Sequence, residues 1–378
     1  MGIKLKQFII SCIILSNHSL FSQGAVIASD NSKTNFEKTY QIVLILPFCF
    51  GNDKEWKLRD AMADYYEGVE MAIEDLKKQG MNLKLIVLDS KKDSLEVIQL
   101  LKTREELQKS DLFIGPVYEK ELVEVEKFCS IYKIPLVSPF NFYTKKFKGD
   151  FPLINCSPND SMGYYYKGAC IAKAFQKYQV IVVHTDSAKK TITSAARNFK
   201  SGYEKASGKS CTIINGKQSP KNFWNGKDSL LIYYTGKHSS ACNSALANNG
   251  NSKWKVAGSP DWLDVERTNY NVFNGVYFID NYSVPYNDTT YKKMRKTFRT
   301  KYGGDPQRYT FVGYDQFLFF SNSLMALDQH FSEYILNKKF RMNHNNFHFV
   351  NQGDVIVNSG TNIYYYYDYK FYKAYWRY

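Results

Sequence analysis

Residues 111–118 and 133–140 decide the fold class of this chain, because they carry the same pattern twice. DLFIGPVY is a short apolar strand that ends at Gly115-Pro116, and KIPLVSPF is another that ends at Ser138-Pro139. Residues 119–133 between them have the length and amphipathic spacing of one helix. A strand, a helix and a second buried strand form a βαβ unit of a parallel sheet. Ligands of such sheets bind beyond the carboxyl ends of the strands, so the two loops should share one binding rim.

Strands and helices alternate along most of the chain. Apolar runs at TYQIVLILPF (39–48) and LKLIVLD (83–89) open one series, and QVIVVH (179–184) opens a second. Two such series predict two α/β lobes. From residue 288 the order changes, because two helical segments are followed by short strands around Gly353 and Gly360. We therefore predict an α/β fold with two doubly wound parallel-sheet lobes and a C-terminal antiparallel β segment.

The first 24 residues have the layout of a cleavable export signal. Two lysines precede the apolar stretch 8–15, and small residues follow it. The stretch is too short to cross a bilayer, so the chain is not predicted to be transmembrane. The apolar region before Cys12 is too short for a lipoprotein signal, which disfavours lipid anchoring. The sequence thus predicts a periplasmic or secreted protein, with residues 25–38 as a linker.

The composition is that of a globular protein with a basic surface. The chain has 378 residues, of which 44% are hydrophobic and 23% charged, and its formal net charge is +14. The surplus lysines are dispersed along predicted helices, as at Lys77-Lys78 and Lys292-Lys293, so no nucleic-acid partner is predicted. In an exported protein this charge indicates a solvated face or attraction to anionic envelope polymers.

Catalytic and cofactor motifs have no support in this sequence. It contains no G-x-S-x-G elbow, no phosphate-binding P-loop and no G-x-G-x-x-G after the first strand. His344 and His348 are four residues apart, but Asn345-Asn346 indicates a turn there, so no metal site is assigned. The six cysteines beyond the signal lack C-x-x-C spacing, and no disulfide is assigned. We predict a protein that is not an enzyme and that needs no cofactor.

The C-terminal run NIYYYYDYKFYKAYWRY (362–378) allows two interpretations. Alternating aromatic and basic residues could stack on sugar rings or bases. The favoured interpretation is a hairpin that packs one face on the second lobe and leaves a tyrosine-rich face half exposed.

In order and spacing, several segments resemble the type 1 periplasmic binding proteins, specifically the leucine-isoleucine-valine-binding receptors of ABC importers. The resemblance covers residues 39–378. The segments that carry it are YYEGVEMAIEDLKKQG (65–80), the strand ending at Asp89, IGPVY (114–118), IPLVSP (134–139), NCSPND (155–160) and GYDQF (313–317).

The resemblance implies two lobes joined by three crossover strands, which we place near residues 156–159, 280–284 and 337–346. The lobe assignments that follow are 39–156 with 283–337 for the first lobe, and 158–280 with 345–378 for the second. The lobes of this family close on a ligand by hinge motion.

The resemblance also predicts which residues line the cleft. In amino-acid receptors of this family, a serine after the Gly-Pro loop and a threonine after the Ser-Pro loop hold the ligand carboxylate. This chain has Val117-Tyr118 and Phe140-Asn141 at those places, so a standard branched-chain amino acid is not the predicted ligand. Asp261 would replace the carboxylate that binds the ligand ammonium. The predicted ligand-binding residues are Tyr118, Ser138, Phe140, Asn141, Asp186, Ser259, Asp261 and Tyr282.

Two functions from different classes fit these observations. The first is an exported, non-enzymatic solute-binding protein that captures a small molecule in the interlobe cleft, with an ABC permease as partner. The alternative is an envelope scaffold or regulator, related to cell-wall synthesis, that uses the same fold for protein contacts. The changed cleft and basic surface favour the alternative, and the intact order of domains is neutral.

Overall fold

A computed structural model describes residues 37–141, 153–158, 160–185, 193–237, 239–250, 252–264, 270–280, 287–353 and 355–374. The predicted signal lies outside these residues. Among the described helices, none combines the length and apolar character that a membrane span requires.

The described residues form fifteen strands, which are numbered here in chain order. They are β1 (Thr39–Leu46), β2 (Asn82–Asp89), β3 (Leu112–Ile114), β4 (Leu136–Asn141), β5 (Leu153–Ser157), β6 (Tyr178–His184), β7 (Thr212–Asn215), β8 (Ser229–Tyr234), β9 (Trp254–Gly258), β10 (Tyr277–Asp280), β11 (Lys339–Arg341), β12 (Asn346–Gln352), β13 (Val355–Asn358), β14 (Asn362–Tyr367) and β15 (Lys370–Lys373).

Nine α-helices flank these strands within the described part of the chain. They are α1 (Trp56–Lys78), α2 (Ser94–Thr103), α3 (Glu119–Tyr132), α4 (Asp160–Ala174), α5 (Ser194–Ser207), α6 (Ser239–Ala247), α7 (Thr289–Tyr302), α8 (Arg308–Leu327) and α9 (Phe331–Ile335). Helix ends follow local capping chemistry: the Asp288 side chain accepts from Thr290 N–H before α7, and Gly303 ends that helix with a left-handed backbone.

The strands form two sheets, one for each lobe. The first has the order β11-β12-β13-β5-β4-β3-β1-β2, and the second has the order β15-β14-β10-β9-β8-β6-β7. β3 and β4 are parallel neighbours, with Phe113 in register with Leu136, so the opening βαβ unit is confirmed. The predicted fold class is confirmed as well: two lobes with mostly parallel sheets, flanked by helices, and an antiparallel C-terminal segment.

Each sheet is buried on both faces, which explains the continuous apolar runs in the sequence. In β1, Ile42 and Leu44 contribute to one core of the first lobe, while Val43 and Ile45 contribute to the core on the opposite face. The second sheet divides its side chains between two cores in the same way.

The chain passes between the sheets three times, but the third passage is not where the sequence predicted it. Residues 345–358 were assigned to the second lobe, and this is wrong. β13 pairs in parallel with β5, with Val355 opposite Leu153, and β12 pairs with β13 in the same first sheet. The chain therefore crosses at residues 358–362: the backbone of β13 pairs with the edge of β5, and Val355 and Val357 join a core of the first lobe.

The tyrosine-rich C-terminal segment forms a hairpin in the second lobe. β14 pairs antiparallel with β10, and β15 pairs with β14. Tyr364 and Tyr366 are buried in the core of the lobe, whereas Tyr367 is exposed. The hairpin interpretation is therefore confirmed for residues 362–374, and residues 375–378 lie outside the described part.

One helix pair in each lobe is in contact through glycine. α1 and α8 meet at Gly68 and Gly313, where an added Cβ would lie 2.0 and 2.1 Å from a carbonyl oxygen of the facing helix. α4 and α5 meet at Gly168 and Gly202, where the corresponding distances are 2.1 and 1.9 Å. Only glycine permits backbones to approach this closely.

Candidate functional site between the lobes

The end of β4 carries three of the predicted binding residues. Ser138 is fully buried, and its Oγ donates to the Phe140 carbonyl at 3.2 Å. The Phe140 ring packs edge-on against Tyr65 and Tyr309, with centroid distances of 5.9 and 5.7 Å. Asn141 is the last residue of β4, and its side chain lies outside the described set. The Ser138 hydroxyl and the Phe140 ring thus make their contacts within the first lobe.

The GYDQF segment of α8 holds this strand end in place. Gln316 Nε2 donates to the Pro139 carbonyl at 2.8 Å, and Gln316 Oε1 accepts from the Tyr65 hydroxyl at 2.8 Å. Tyr314 donates to Asp75 of α1 at 2.9 Å. The motif that carried the resemblance therefore positions the rim of the site.

Tyr118 precedes α3 beside other strand ends of the first sheet. Lys92 Nζ lies 5.1 Å from the centre of its ring, and the same ammonium forms a 3.1 Å ion pair with Glu55. Burial raises the pKa of the Tyr118 hydroxyl, and Lys92 partly offsets this. Glu121, in the first turn of α3, is also buried, and desolvation raises its pKa to about 7.

The second-lobe rim carries Ser259 and Asp261. Ser259 Oγ donates to Asp261 Oδ2 at 2.7 Å and accepts from Asp261 N–H at 3.3 Å, which caps the short helical turn Pro260–Asp264. The structure thus brings these two predicted residues together. Asp186 and Tyr282 lie outside the described residues. The hydrogen bonds and ring contacts of Tyr118, Ser138 and Phe140 are with first-lobe residues, so the described part shows no contact that joins the two halves of the predicted set.

Asparagines fix the third crossover, residues 358–362, to its neighbours. Asn358 Nδ2 donates to the Cys156 carbonyl at 3.1 Å, and its Oδ1 accepts from the N–H groups of His348 and Gly360 at 2.9 Å each. Asn346 Nδ2 donates to Asn362 Oδ1 at 2.6 Å. This crossover is therefore hydrogen-bonded to β5 and to β12.

Asp315 anchors the turn that precedes β12. Its Oδ2 accepts three hydrogen bonds, from the N–H groups of His344 and Asn345 and from Asn345 Nδ2, at 2.8 to 2.9 Å. His344 packs against Phe311 at 4.3 Å, while His348 Nδ1 lies 2.8 Å from Ser359 Oγ. In the described ranges, no group of three or more His, Cys, Asp or Glu side chains is arranged to hold a metal.

A cavity of about 470 Å³ lies where the third crossover meets α4, and we call it the crossover cavity. α4 and the end of β15 contribute walls from the second lobe, and β11 and β12 contribute walls from the first. Its cationic lining residues are Lys173, Lys339, Arg341 and Lys373.

Sequence reasoning missed this cavity because its basic residues are distributed from position 173 to position 373. They come from three separate elements and form no local motif. The lysines at 173 and 373 each follow a tyrosine-rich run, at 164–166 and 364–367, but such runs also fit an ordinary half-buried surface.

Comparisons with known proteins give matches in fold only. No protein-family model matches the chain, and no curated protein sequence matches it. A Rhodospirillum rubrum protein assigned to branched-chain amino acid ABC transport is 11% identical with a TM-score of 0.64, and the match covers 89% of this chain and 100% of that one. An ABC transporter substrate-binding protein from Desulfitobacterium hafniense, in complex with leucine, is 13% identical with a TM-score of 0.53 and the same coverage.

Full-length LpoA from Haemophilus influenzae also has a similar structure. It is 14% identical with a TM-score of 0.59, and the match covers 94% of this chain and 62% of LpoA. The sheet orders, the three passages between lobes and these matches lead to one conclusion. The chain has the fold of the type 1 periplasmic binding proteins, as its sequence predicts.

Proposed function

We propose that this chain is an exported, non-enzymatic binding protein that captures a small molecule between its two lobes. The observation that carries the proposal is the crossover cavity, because its walls come from both lobes and from the segment that joins them. Its volume of about 470 Å³ is within the range of small-molecule sites, roughly 300 to 1,000 Å³. A ligand that contacts both lobes favours the arrangement of the lobes in which both sets of contacts form.

The predicted rim does not suit a standard branched-chain amino acid, because it lacks the serine and threonine that hold a carboxylate in such receptors, and Phe140 and its aromatic neighbours fill the end of β4. The predicted binding residues that the structure describes do not line the crossover cavity, so the proposed ligand contacts other side chains. Delivery to an ABC permease fits the substrate-binding proteins that share this fold. The predicted export signal fits the same role in the periplasm.

A thermal-shift screen of metabolites on residues 25–378 tests the proposal. A ligand at 100 times its dissociation constant stabilises the folded state by about 2.7 kcal/mol, which is a clear shift. Small-angle scattering with each hit should show a more compact protein if the lobes close. If no compound shifts the transition and the scattering curve never changes, the proposal is wrong.

An envelope scaffold is the second candidate function. Two observations favour it. The first is the structural similarity to LpoA, which extends over 94% of this chain. The second is that Ser138 and Phe140 of the predicted rim make contacts within their own lobe, as they would if the rim held no ligand. Crosslinking in cells followed by identification of attached proteins separates the two candidates. A specific envelope protein attached to the described surface, together with a negative ligand screen, would favour the scaffold.

A further inference from the structure

We infer that the crossover cavity binds an organic anion, meaning a molecule with a carboxylate or phosphate group on an apolar or aromatic body. This inference rests on the proposed function, since it assigns a ligand class to the same cavity. Three features of the cavity support it: the sign of its charge, one buried ammonium group and the character of its walls.

The charge of the lining has one sign. Lys173 comes from α4, Lys339 and Arg341 come from β11, and Lys373 comes from the end of β15. Among the described residues that line the cavity, none is aspartate or glutamate. Cationic groups thus converge on one space from both lobes, and a cleft lined by one sign of charge concentrates ions of the opposite sign.

Lys373 points to a ligand more directly than the others. Its Nζ is buried and has no hydrogen-bond partner among the described residues. Burial, together with the charge of Arg341, lowers the pKa of Lys373 to about 8, while the charges of Asp315 and Asp288 act in the opposite direction. Asp315 Oδ2 accepts three N–H hydrogen bonds, and its Oδ1 lies 3.6 Å from His344 Nδ1; neither oxygen is within hydrogen-bond distance of Lys373 Nζ. A buried ammonium without a partner is costly, so an anion in the cavity would supply the missing interaction.

The remaining walls accommodate the body of such a ligand. Tyr165 and Tyr166 of α4 pack edge to face at 5.5 Å, and Phe340 and Phe347 line the opposite side. The space is many times larger than the roughly 30 Å³ that one water molecule occupies in the liquid, so a bare inorganic anion would leave most of it unfilled. The cavity therefore suits a ligand with one charged end and a flat or apolar remainder.

Binding there would couple the lobes. Lys373 and α4 belong to the second lobe and β11 belongs to the first, so an anion held by Lys373 and Arg341 contacts both. Such a ligand favours the interlobe arrangement in which both cations reach it.

The test uses three probes of one shape and different charge: 2-naphthoate, 2-naphthylmethanol and 2-naphthylmethylamine. Aliphatic carboxylates, phosphate monoesters and inorganic phosphate extend the panel and separate a carboxylate site from a phosphate site. Calorimetry on the mature protein should show that at least one organic anion binds at least tenfold more tightly than its neutral counterpart. The amine should bind more weakly than the alcohol.

Lys373→Met is the decisive variant, and Lys370→Met is its matched control. Both lysines are on β15, but Lys370 is exposed and its Nζ pairs with Asp368 at 3.1 Å. We expect Lys373→Met to weaken binding of the anion at least tenfold without weakening the neutral probe, and Lys370→Met to leave both unchanged. Arg341→Gln should weaken the anion as well, which covers the case in which the Met variant does not fold.

Three outcomes would overturn the inference: equal affinity for anion and alcohol, equal effects of the two lysine variants, or no binding by any anion in the panel. A neutral or cationic compound that binds regardless of Lys373 would refute this inference and leave the proposed function standing. Absence of any ligand from the full metabolite screen would refute both.

Discussion

The glycine contact between α4 and α5 gives the sharpest test of the fold. Replacing Gly168 by alanine would place a Cβ 2.1 Å from the Phe199 carbonyl oxygen of α5. Gly163 lies about one and a half turns earlier on the same helix, and there the nearest atom that a Cβ would meet among the described residues is in the Pro158 side chain, at 3.8 Å. The two substitutions are chemically identical and differ only in what surrounds the new methyl group.

The magnitude follows from that distance. Carbon and carbonyl oxygen approach to about 3.3 Å at closest, so α4 and α5 would have to separate by about 1.2 Å. Overpacking costs about 1 to 3 kcal/mol, and a backbone obstacle that cannot rotate away favours the upper value. The higher helix propensity of alanine raises the free energy of unfolding by about 1 kcal/mol and so offsets part of this cost. We expect Gly168→Ala to lose about 2 kcal/mol and Gly163→Ala to gain up to about 1 kcal/mol.

Urea unfolding followed by tryptophan fluorescence measures this difference. Trp262 lies in the second-lobe core and Trp224 and Trp254 pack against it, whereas Trp56 of the first lobe is 51% exposed. The change in fluorescence on unfolding therefore reports mainly the lobe that contains α4. A difference of about 3 kcal/mol between the variants corresponds to about 1.5 M urea at a slope of about 2 kcal/mol per molar. Equal midpoints for the two variants would mean that α4 and α5 do not approach at Gly168, and the packing described here would be wrong.

Three further predictions concern single groups and one ligand class. Between pH 4.5 and 7, Glu121 is protonated in the folded protein but ionised in the unfolded chain. The free energy of unfolding should therefore fall by up to about 3 kcal/mol as the pH rises through that range. Urea titrations at pH 5 and pH 8 measure this difference, and Glu121→Gln should remove it. If the variant kept the same difference in free energy of unfolding between the two pH values, the raised pKa of Glu121 would be wrong. Asp315→Asn should lower the free energy of unfolding by about 2 to 4 kcal/mol, because three hydrogen bonds lose their charged acceptor. The control Asp53→Asn, on the exposed surface, should leave it unchanged. Equal unfolding midpoints for the two variants would refute the role of Asp315. Leucine, isoleucine and valine should bind with dissociation constants no better than about 1 mM, near 4 kcal/mol, and micromolar binding by calorimetry would refute the argument from loop chemistry.

The sequence predicted the sheets well because their signal is local. Apolar runs with breakers at their ends mark β1, β3 and β4, and one helix between parallel strands leaves little choice of topology. The sequence did not show in the same way which of the two sheets residues 355–358 would join. A four-residue apolar strand fits the edge of either sheet. The partner of β13 is β5, which is about 200 residues earlier in the sequence, so no local pattern indicates the pairing.

The candidate site was only partly predictable for a related physical reason. Strand order places the loop after β3, which contains Tyr118, next to the end of β4, which contains Ser138. The direction of each side chain, however, depends on what packs beside it. Phe140 turns toward Tyr65 and Tyr309, which come from helices that no local pattern links to β4. Lys173 and Lys373 line the same cavity, although between them the chain leaves the second lobe and returns to it.

The pairing of β13 with β5 determines when the first lobe can be completed. Val355 and Leu153 are partners although 201 residues, including the whole parallel series of the second lobe, lie between them. Until the ribosome has made residue 358, the first lobe has an open edge and lacks part of its core. The second lobe waits still longer, because its strands β14 and β15 follow residue 361. Contacts of such long sequence separation slow folding. Because residues 355–373 complete both sheets, most of the polypeptide lacks part of its native contacts until that segment has been made.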